Sequence, residues 1–386
     1  MMLLAVGPNP LAPSEAAALR KLLGSSSTVG SDDLREVVSP LPYPFSALGL
    51  LLLGEPEDVS GTRATGDQRR PGGGAAAASG GGVNGGGSAA AAAGDLSICT
   101  GLMVSPDLVL TAAHCLYTVP SEVHPNRPAG FRRVLGFYPS YSRSPDGAGY
   151  APLGSISAEW SDVPKEWVAA AAAGTFLWKR DIGAVKLSRQ VGLETGWFGL
   201  AAGCDVAGAM LAGVAKERAA SGAGAAVAAT VSAAVSVAGF PGASMVSAAG
   251  GGAYFPLMGD QRCRLGGAAL CPTDDGGEGR MAGMLRHACD TGKGMSGAPL
   301  WVHGGTKEAR AAAAAAAAGG LGGCKLGGNG GGARTAAGEP EEPPAVAMGV
   351  VSRHVGDCPW GADCINVAAP MDATAIAQVR EWILRP

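Results

Sequence analysis

Ser296 lies in the run Gly292-Lys293-Gly294-Met295-Ser296-Gly297-Ala298-Pro299, a serine inside a glycine-rich turn. Glycine reaches conformations closed to other residues, so such a turn can direct backbone N–H groups inward. Two convergent donors beside a nucleophile make an oxyanion hole. The pattern alone carries little weight in a chain with 63 glycines. A second element adds to it: Val109-Leu110-Thr111-Ala112-Ala113-His114-Cys115 ends an apolar strand on a histidine, and Asp181 opens the strand Asp181-Ile182-Gly183-Ala184-Val185-Lys186-Leu187. Singly, His114 reads as a surface or satisfied core histidine and Asp181 as a solvated turn residue. Together, in the order His, Asp, Ser at separations of 67 and 115 residues, they supply a base, an orienting carboxylate and a nucleophile. A serine hydroxyl is a poor nucleophile at its own pKa and needs a neighbouring base. An imidazole titrating near neutrality can take that proton and return it to a leaving amine.

With these motifs the sequence resembles the trypsin-like superfamily of serine endopeptidases, in which TAAHC, a D-I-A-x-x-K-L-like strand and G-x-S-G-x-P carry the triad. Within it the resemblance is to the V8-like, glutamyl-endopeptidase branch. It rests on Tyr43-Pro44-Phe45, Gly239-Phe240-Pro241-Gly242, Cys289-Asp290-Thr291-Gly292, Gly297-Ala298-Pro299 and Asn366, and covers about residues 30–54 and 95–386. It implies an all-β fold of two antiparallel six-stranded β-barrels with the cleft between them, and His114, Asp181 and Ser296 as the triad. The N–H groups of Gly294 and Ser296 would form the oxyanion hole, and a Cys99–Cys115 disulfide would brace the histidine loop. Met295 stands where trypsin-like enzymes usually carry the aspartate that pairs with a new N-terminus, so activation by that ion pair is excluded. The resemblance puts the substrate pocket at Asp290, Thr291, Val351 and Ser352. Asp290 matches a position that attracts Lys or Arg, whereas glutamate selection goes with a histidine where this chain has Val351, three residues before His354. Both specificities stay open.

The elements that must position these residues are short strands. Runs at 45–53, 102–104, 108–111, 182–187, 232–239, 300–303 and 347–352 are apolar or alternating and bounded by Gly, Pro, Asp or Ser, which argues a sandwich or barrel. The one helix with a clear pattern is terminal, 372–384, with Asp372 as N-cap and Ile376, Val379, Trp382 and Ile383 as an apolar stripe expected on the last barrel. Residues 61–94, 207–229 and 304–344 are low-complexity Gly/Ala insertions. The division expected is an N-terminal segment 1–29, read as a propeptide or truncated leader, a first barrel 30–188 and a second barrel 189–386 ending in the helix.

Composition bounds the rest. Among 386 residues, 16% are charged and 47% hydrophobic, too apolar for a solvated disordered polymer. A net charge of -3 and a pI near 6.0 give no basic surface for nucleic acid. No apolar run reaches the length of a membrane span. Nine cysteines without a CxxC pair and five scattered histidines argue against a structural metal, and no cofactor is expected. Cys263–Cys271 and Cys358–Cys364 are close enough in sequence to close small loops. An oxidising compartment, secreted or luminal, follows, although the chain start shows no signal peptide. The expected protein is a monomeric peptidase acting on polypeptides. The alternatives are a catalytically silent binding module on the same two-barrel body, favoured by the bulky Lys293 beside the turn, and a Gly/Ala-rich structural protein that would leave the His/Asp/Ser set without a role.

Overall fold

The computed structural model describes residues 26–27, 34–37, 40–56, 96–119, 129–143, 149–175, 177–220, 233–242, 246–247, 253–265, 283–303, 345–355 and 365–386. Two antiparallel rings dominate. In the first, the order is Ala158–Asp162, Gly183–Leu187, Leu108–Thr111, Ser97–Met103, Leu48–Pro56 and Gly130–Pro139. It closes where Phe137 and Ile156 exchange backbone hydrogen bonds of 2.9 and 2.8 Å. The second runs Val346–Val355, Pro299–Val302, Ala233–Gly239, Met258–Leu265, Leu285–His287 and Ile365–Pro370, and the last strand pairs back onto the first. Closure removes the free sheet edges that would otherwise pair with other chains.

The strand Leu48–Pro56 shows why the first ring forms. Its LGLLLLGEP sequence is buried along almost its whole length, so neither face meets water and the usual alternation is absent. A large apolar cluster spans both rings, joining Leu51, Leu102 and Phe137 to Phe240, Trp301 and Val350. A second cluster, including Val237, Leu265, Leu285 and Leu300, fills the second ring.

The helix Ala373–Leu384 forms as its pattern predicts. The Asp372 carboxylate accepts from the Ala375 N–H at 2.8 Å, and Ile376, Val379 and Trp382 are buried while Ile383 is exposed. Its seat differs from expectation: it packs on the first barrel, not the last. Arg180 donates to Asp372 at 2.8 Å, while Trp382 Nε1 and Arg385 donate to Asp162 at 3.2 and 2.9 Å. The Arg385 guanidinium lies 4.6 Å from the Trp160 ring centre. The partners for the helix's polar edge lie on that barrel, which decides the docking.

The chain's other end crosses the opposite way. Arg35–Glu36 pairs with Met258–Gly259 of the second barrel, Leu34 is buried in the second cluster, and the Tyr254 hydroxyl bonds the Glu36 carboxylate. Farther back, Ser26–Ser27 pairs with Thr291–Gly292.

Two further helices depart from the sequence reading. Lys165–Ala172 buries Trp167, and Gly203–Ala220 runs into the stretch read as an unpatterned insertion from 207. Alanine's helix propensity and the inward residues Val206, Ala207 and Met210 hold it. Among the described residues no helix is long and apolar enough to cross a membrane.

Cys263 pairs with Cys289, correcting the expected Cys263–Cys271. Leu265 opposite His287 in the neighbouring strands brings the Cys263 and Cys289 Cα atoms to 4.7 Å, so sheet register overrides sequence proximity. Cys204 is also disulfide-bonded. Cys358 and Cys364 lie outside the described residues.

Removing the cap with Asp372→Ala should cost about 1 kcal/mol, and emptying the Trp382 site with Trp382→Ala about 3–5 kcal/mol, both read by urea unfolding. His287 supplies a pH test. It is buried in the second ring, neither ring nitrogen has a partner among the described residues, and burial pushes its pKa from 6.5 down to about 3. Between those values the unfolded chain binds a proton that the folded chain refuses. Its contribution is therefore unchanged above the unfolded pKa and becomes increasingly unfavourable as pH falls toward the folded one, by up to about 1.4 kcal/mol per pH unit. Unfolding curves of His287→Leu across this window should show a flatter pH dependence than those of the parent.

Candidate active site

His114 sits in the one-turn helix Ala113–Leu116, directly after the strand Leu108–Thr111, and its side chain is 32% exposed. Cys115 is tied to Cys99 on the adjoining strand, which holds the backbone of this turn against the barrel. Asp181 follows the 3-10 turn Trp178–Arg180, with its own N–H on the Trp178 carbonyl at 3.0 Å. Gly183, two residues on, packs so close to this helix that a Cβ there would lie 2.8 Å from Leu116. That approach delivers the carboxylate to the imidazole.

The Asp181 carboxylate is fully buried and is satisfied by three donors. Oδ1 accepts the His114 backbone N–H at 2.9 Å, Oδ2 faces His114 Nδ1 at 2.7 Å, and the Ser352 hydroxyl donates to Oδ2 at 2.5 Å. With Nδ1–H directed at the carboxylate, the neutral imidazole presents Nε2 as its lone-pair nitrogen. Ser352, read as a pocket residue, thus has its hydroxyl on Asp181 and belongs to the support of the dyad.

Ser296, half-buried, reaches the same place from the second barrel. The Thr100 N–H donates to its carbonyl at 2.9 Å, and Cys115 Sγ lies 3.8 Å from that carbonyl. Thr100 directly follows Cys99, so the serine turn is bonded to the strand whose disulfide steadies His114. Among the described residues no hydrogen bond joins the Ser296 hydroxyl to the imidazole; such contacts often tighten only when substrate is bound.

The turn itself is pinned peptide by peptide. Lys293 C=O accepts from Gly242 N–H at 2.6 Å, Gly294 C=O from the Thr100 hydroxyl at 3.0 Å, and Met295 C=O from Ala298 N–H at 2.8 Å. Met295 N–H returns to Gly292 C=O and Gly297 N–H reaches Val351 C=O, each at 2.9 Å. Gly294 and Gly297 have φ of 100° and 90°, the left-handed region that favours glycine. A Cβ at Gly297 would meet the Thr100 carbonyl at 2.1 Å, so shape and conformation both require glycine there. Among the described residues, the N–H groups of Gly294 and Ser296 make no hydrogen bond. Because the peptides are trans, each points opposite to a carbonyl that is held, that of Lys293 and that of Met295.

The remaining sequence-predicted residues lie alongside. Asp290, Thr291 and Val351 are buried, and Val351 N–H donates to Ala298 C=O at 2.8 Å, tying this strand to the serine turn. Asn366 donates to the Cys289 carbonyl at 2.7 Å, next to Asp290, and His354 pairs through its backbone with Asn366. Met295 is buried in the second apolar cluster. Among the described residues no three His, Cys, Asp or Glu side chains form a metal-binding group. Thr100 went unrecognised in the sequence: a threonine in a strand carries no signal of its own.

The family described as Trypsin matches residues 81–209, which include His114 and Asp181 and stop short of Ser296. No curated protein matches the chain. Among solved structures, a Glu endopeptidase in complex with MPD is similar at 14% identity over 93% of this chain and 100% of that chain, with a TM-score of 0.48. The protease Anisep from Arthrobacter nicotinovorans is similar at 14% identity over 89% and 99%, with a TM-score of 0.40. The segment that matches the Trypsin family thus carries the imidazole and the carboxylate, set in a fold of two antiparallel rings.

Proposed function

We propose that the chain is an endopeptidase that cleaves polypeptides through Ser296, His114 and Asp181 by way of an acyl-enzyme. The observation that carries this reading is the pinned turn, in which the Gly294 and Ser296 N–H groups make no hydrogen bond among the described residues while the carbonyls opposite them are held. Ser296 Oγ attacks the scissile carbonyl while His114 Nε2 takes its proton. The carbonyl oxygen gathers negative charge and is met by the two N–H groups. As the tetrahedral species collapses, the C–N bond breaks and the imidazolium gives its proton to the departing amine. Water, deprotonated by His114, then attacks the ester, and Ser296 is regenerated as the acid leaves. Asp181 fixes the imidazole tautomer and stabilises the imidazolium.

Asp290, Thr291 and Val351 form the proposed pocket, with Ser352 serving the dyad through its hydroxyl. Val351 in place of a histidine gives no cation for a glutamate side chain, while Asp290 supplies a carboxylate that favours a basic one. The proposed division places the barrels within 30–188 and 189–386. The disulfides Cys99–Cys115 and Cys263–Cys289 favour a secreted or luminal site of action.

An alkyl fluorophosphonate should label the protein at Ser296 and leave a folded Ser296→Ala variant unlabelled; a folded parent that takes no label would overturn the enzyme reading in favour of a silent binding module. Asp181→Asn should lower kcat roughly 10,000-fold, because an amide supports the wrong tautomer. Ser352→Ala, which removes one donor from a buried carboxylate, should lower kcat by roughly tenfold. A peptide library cleaved after Lys or Arg would support the Asp290 pocket, and cleavage confined to Glu would overturn it.

A further inference from the structure

We propose that Thr100 is a positioning residue for the oxyanion turn, its hydroxyl holding the serine turn in the donor-forward conformation from across the barrel interface. The proposal rests on the endopeptidase reading of Ser296 and extends it to a residue outside the triad and the oxyanion donors.

Thr100 is fully buried on the strand Ser97–Met103 of the first barrel, and all three of its polar groups are engaged. Its N–H donates to Ser296 C=O at 2.9 Å, and its carbonyl accepts the Thr111 hydroxyl at 2.8 Å. The hydroxyl does two things at once. It accepts the Phe240 N–H at 3.0 Å and donates to Gly294 C=O at 3.0 Å. A hydroxyl has one proton to give, so accepting from Phe240 leaves that proton for Gly294.

The consequence lies in the order of the peptides. Thr100 takes the carbonyls of Gly294 and Ser296, whereas Gly242 and Ala298 take those of Lys293 and Met295, which alternate with them. Successive peptides therefore face opposite ways, and the N–H groups left over fall on the Lys293–Gly294 and Met295–Ser296 peptides. A flip of the Lys293–Gly294 peptide would withdraw one oxyanion donor. Two contacts oppose it: Gly242 N–H on Lys293 C=O, and the Thr100 hydroxyl on the next carbonyl. The hydroxyl also bonds Phe240, two residues before Gly242, so one oxygen steadies both the turn and the segment that holds it. Glycine at 294, with φ of 100°, has few steric barriers of its own to such a flip, which makes an external anchor necessary.

Valine matches threonine in shape and lacks the hydroxyl. For Thr100→Val, fluorophosphonate inactivation should show a maximal rate lowered roughly 10- to 100-fold, less than the full loss of an oxyanion donor, with the half-saturating probe concentration within about twofold of the parent. Thr100→Ser, which keeps the oxygen, should restore the rate to within about threefold of the parent. Thermal melts establish that each variant is folded; should the valine variant not fold, Thr100→Ala is measured in its place with the same expectation. A folded hydroxyl-free variant inactivated at the parental rate, or a serine variant no faster than valine, would overturn the positioning role while leaving the protease reading intact. A parent that takes no label at Ser296 would remove the protease reading and this proposal with it.

Discussion

The buried carboxylate of Asp181 sets the terms for the rest of the site. A charge with no exposure to water is tolerated only when its lone pairs are met by donors, and here those donors come from both barrels. The His114 main chain and ring lie on the first barrel, and the Ser352 hydroxyl on the second. Satisfying one side chain therefore fixes the docking of the barrels at the point where His114 and Ser352 meet it. Loosening the seam there would expose an anion with too few partners, so the site and the interface stabilise each other.

The same economy governs the serine turn. Its backbone has more polar groups than its own folding can pair, and the strand carrying Cys99 and Thr100 accepts the surplus. The disulfide steadies the His114 side of this strand while its next residue holds the Ser296 turn. One short stretch of the first barrel thus registers His114 against Ser296. Rigid support of this kind matters because displacement of a reacting group by about 1 Å can cost catalysis a hundredfold.

What the sequence revealed follows from which interactions leave local marks. Ser296 and its glycines were legible because a positive φ and a close approach demand glycine at fixed offsets. The terminal helix was legible because capping and a 3.6-residue stripe are local. The barrel it packs on was not, since that choice depends on Asp162 and Arg180, which are distant in sequence. The partners of Thr100 and of the Ser352 hydroxyl were hidden for a related reason: a hydroxyl's partner is chosen by tertiary structure, and strand threonines and serines look alike whatever they bond. Cys263 with Cys289 likewise follows from strand register, which spacing alone does not encode. The strands Gly130–Pro139 and Met258–Leu265 escaped because charged residues interrupt their apolar runs.

The crossed termini have a mechanical meaning beyond the site. Chain that precedes the first barrel pairs with the second, and the helix that follows the second barrel packs on the first. Each lobe is clasped by a strap whose root lies in the other. To draw the lobes apart, one strap must peel from its seat, exposing Leu34 at one end or Trp382 at the other. The two halves are thereby coupled into one cooperative unit.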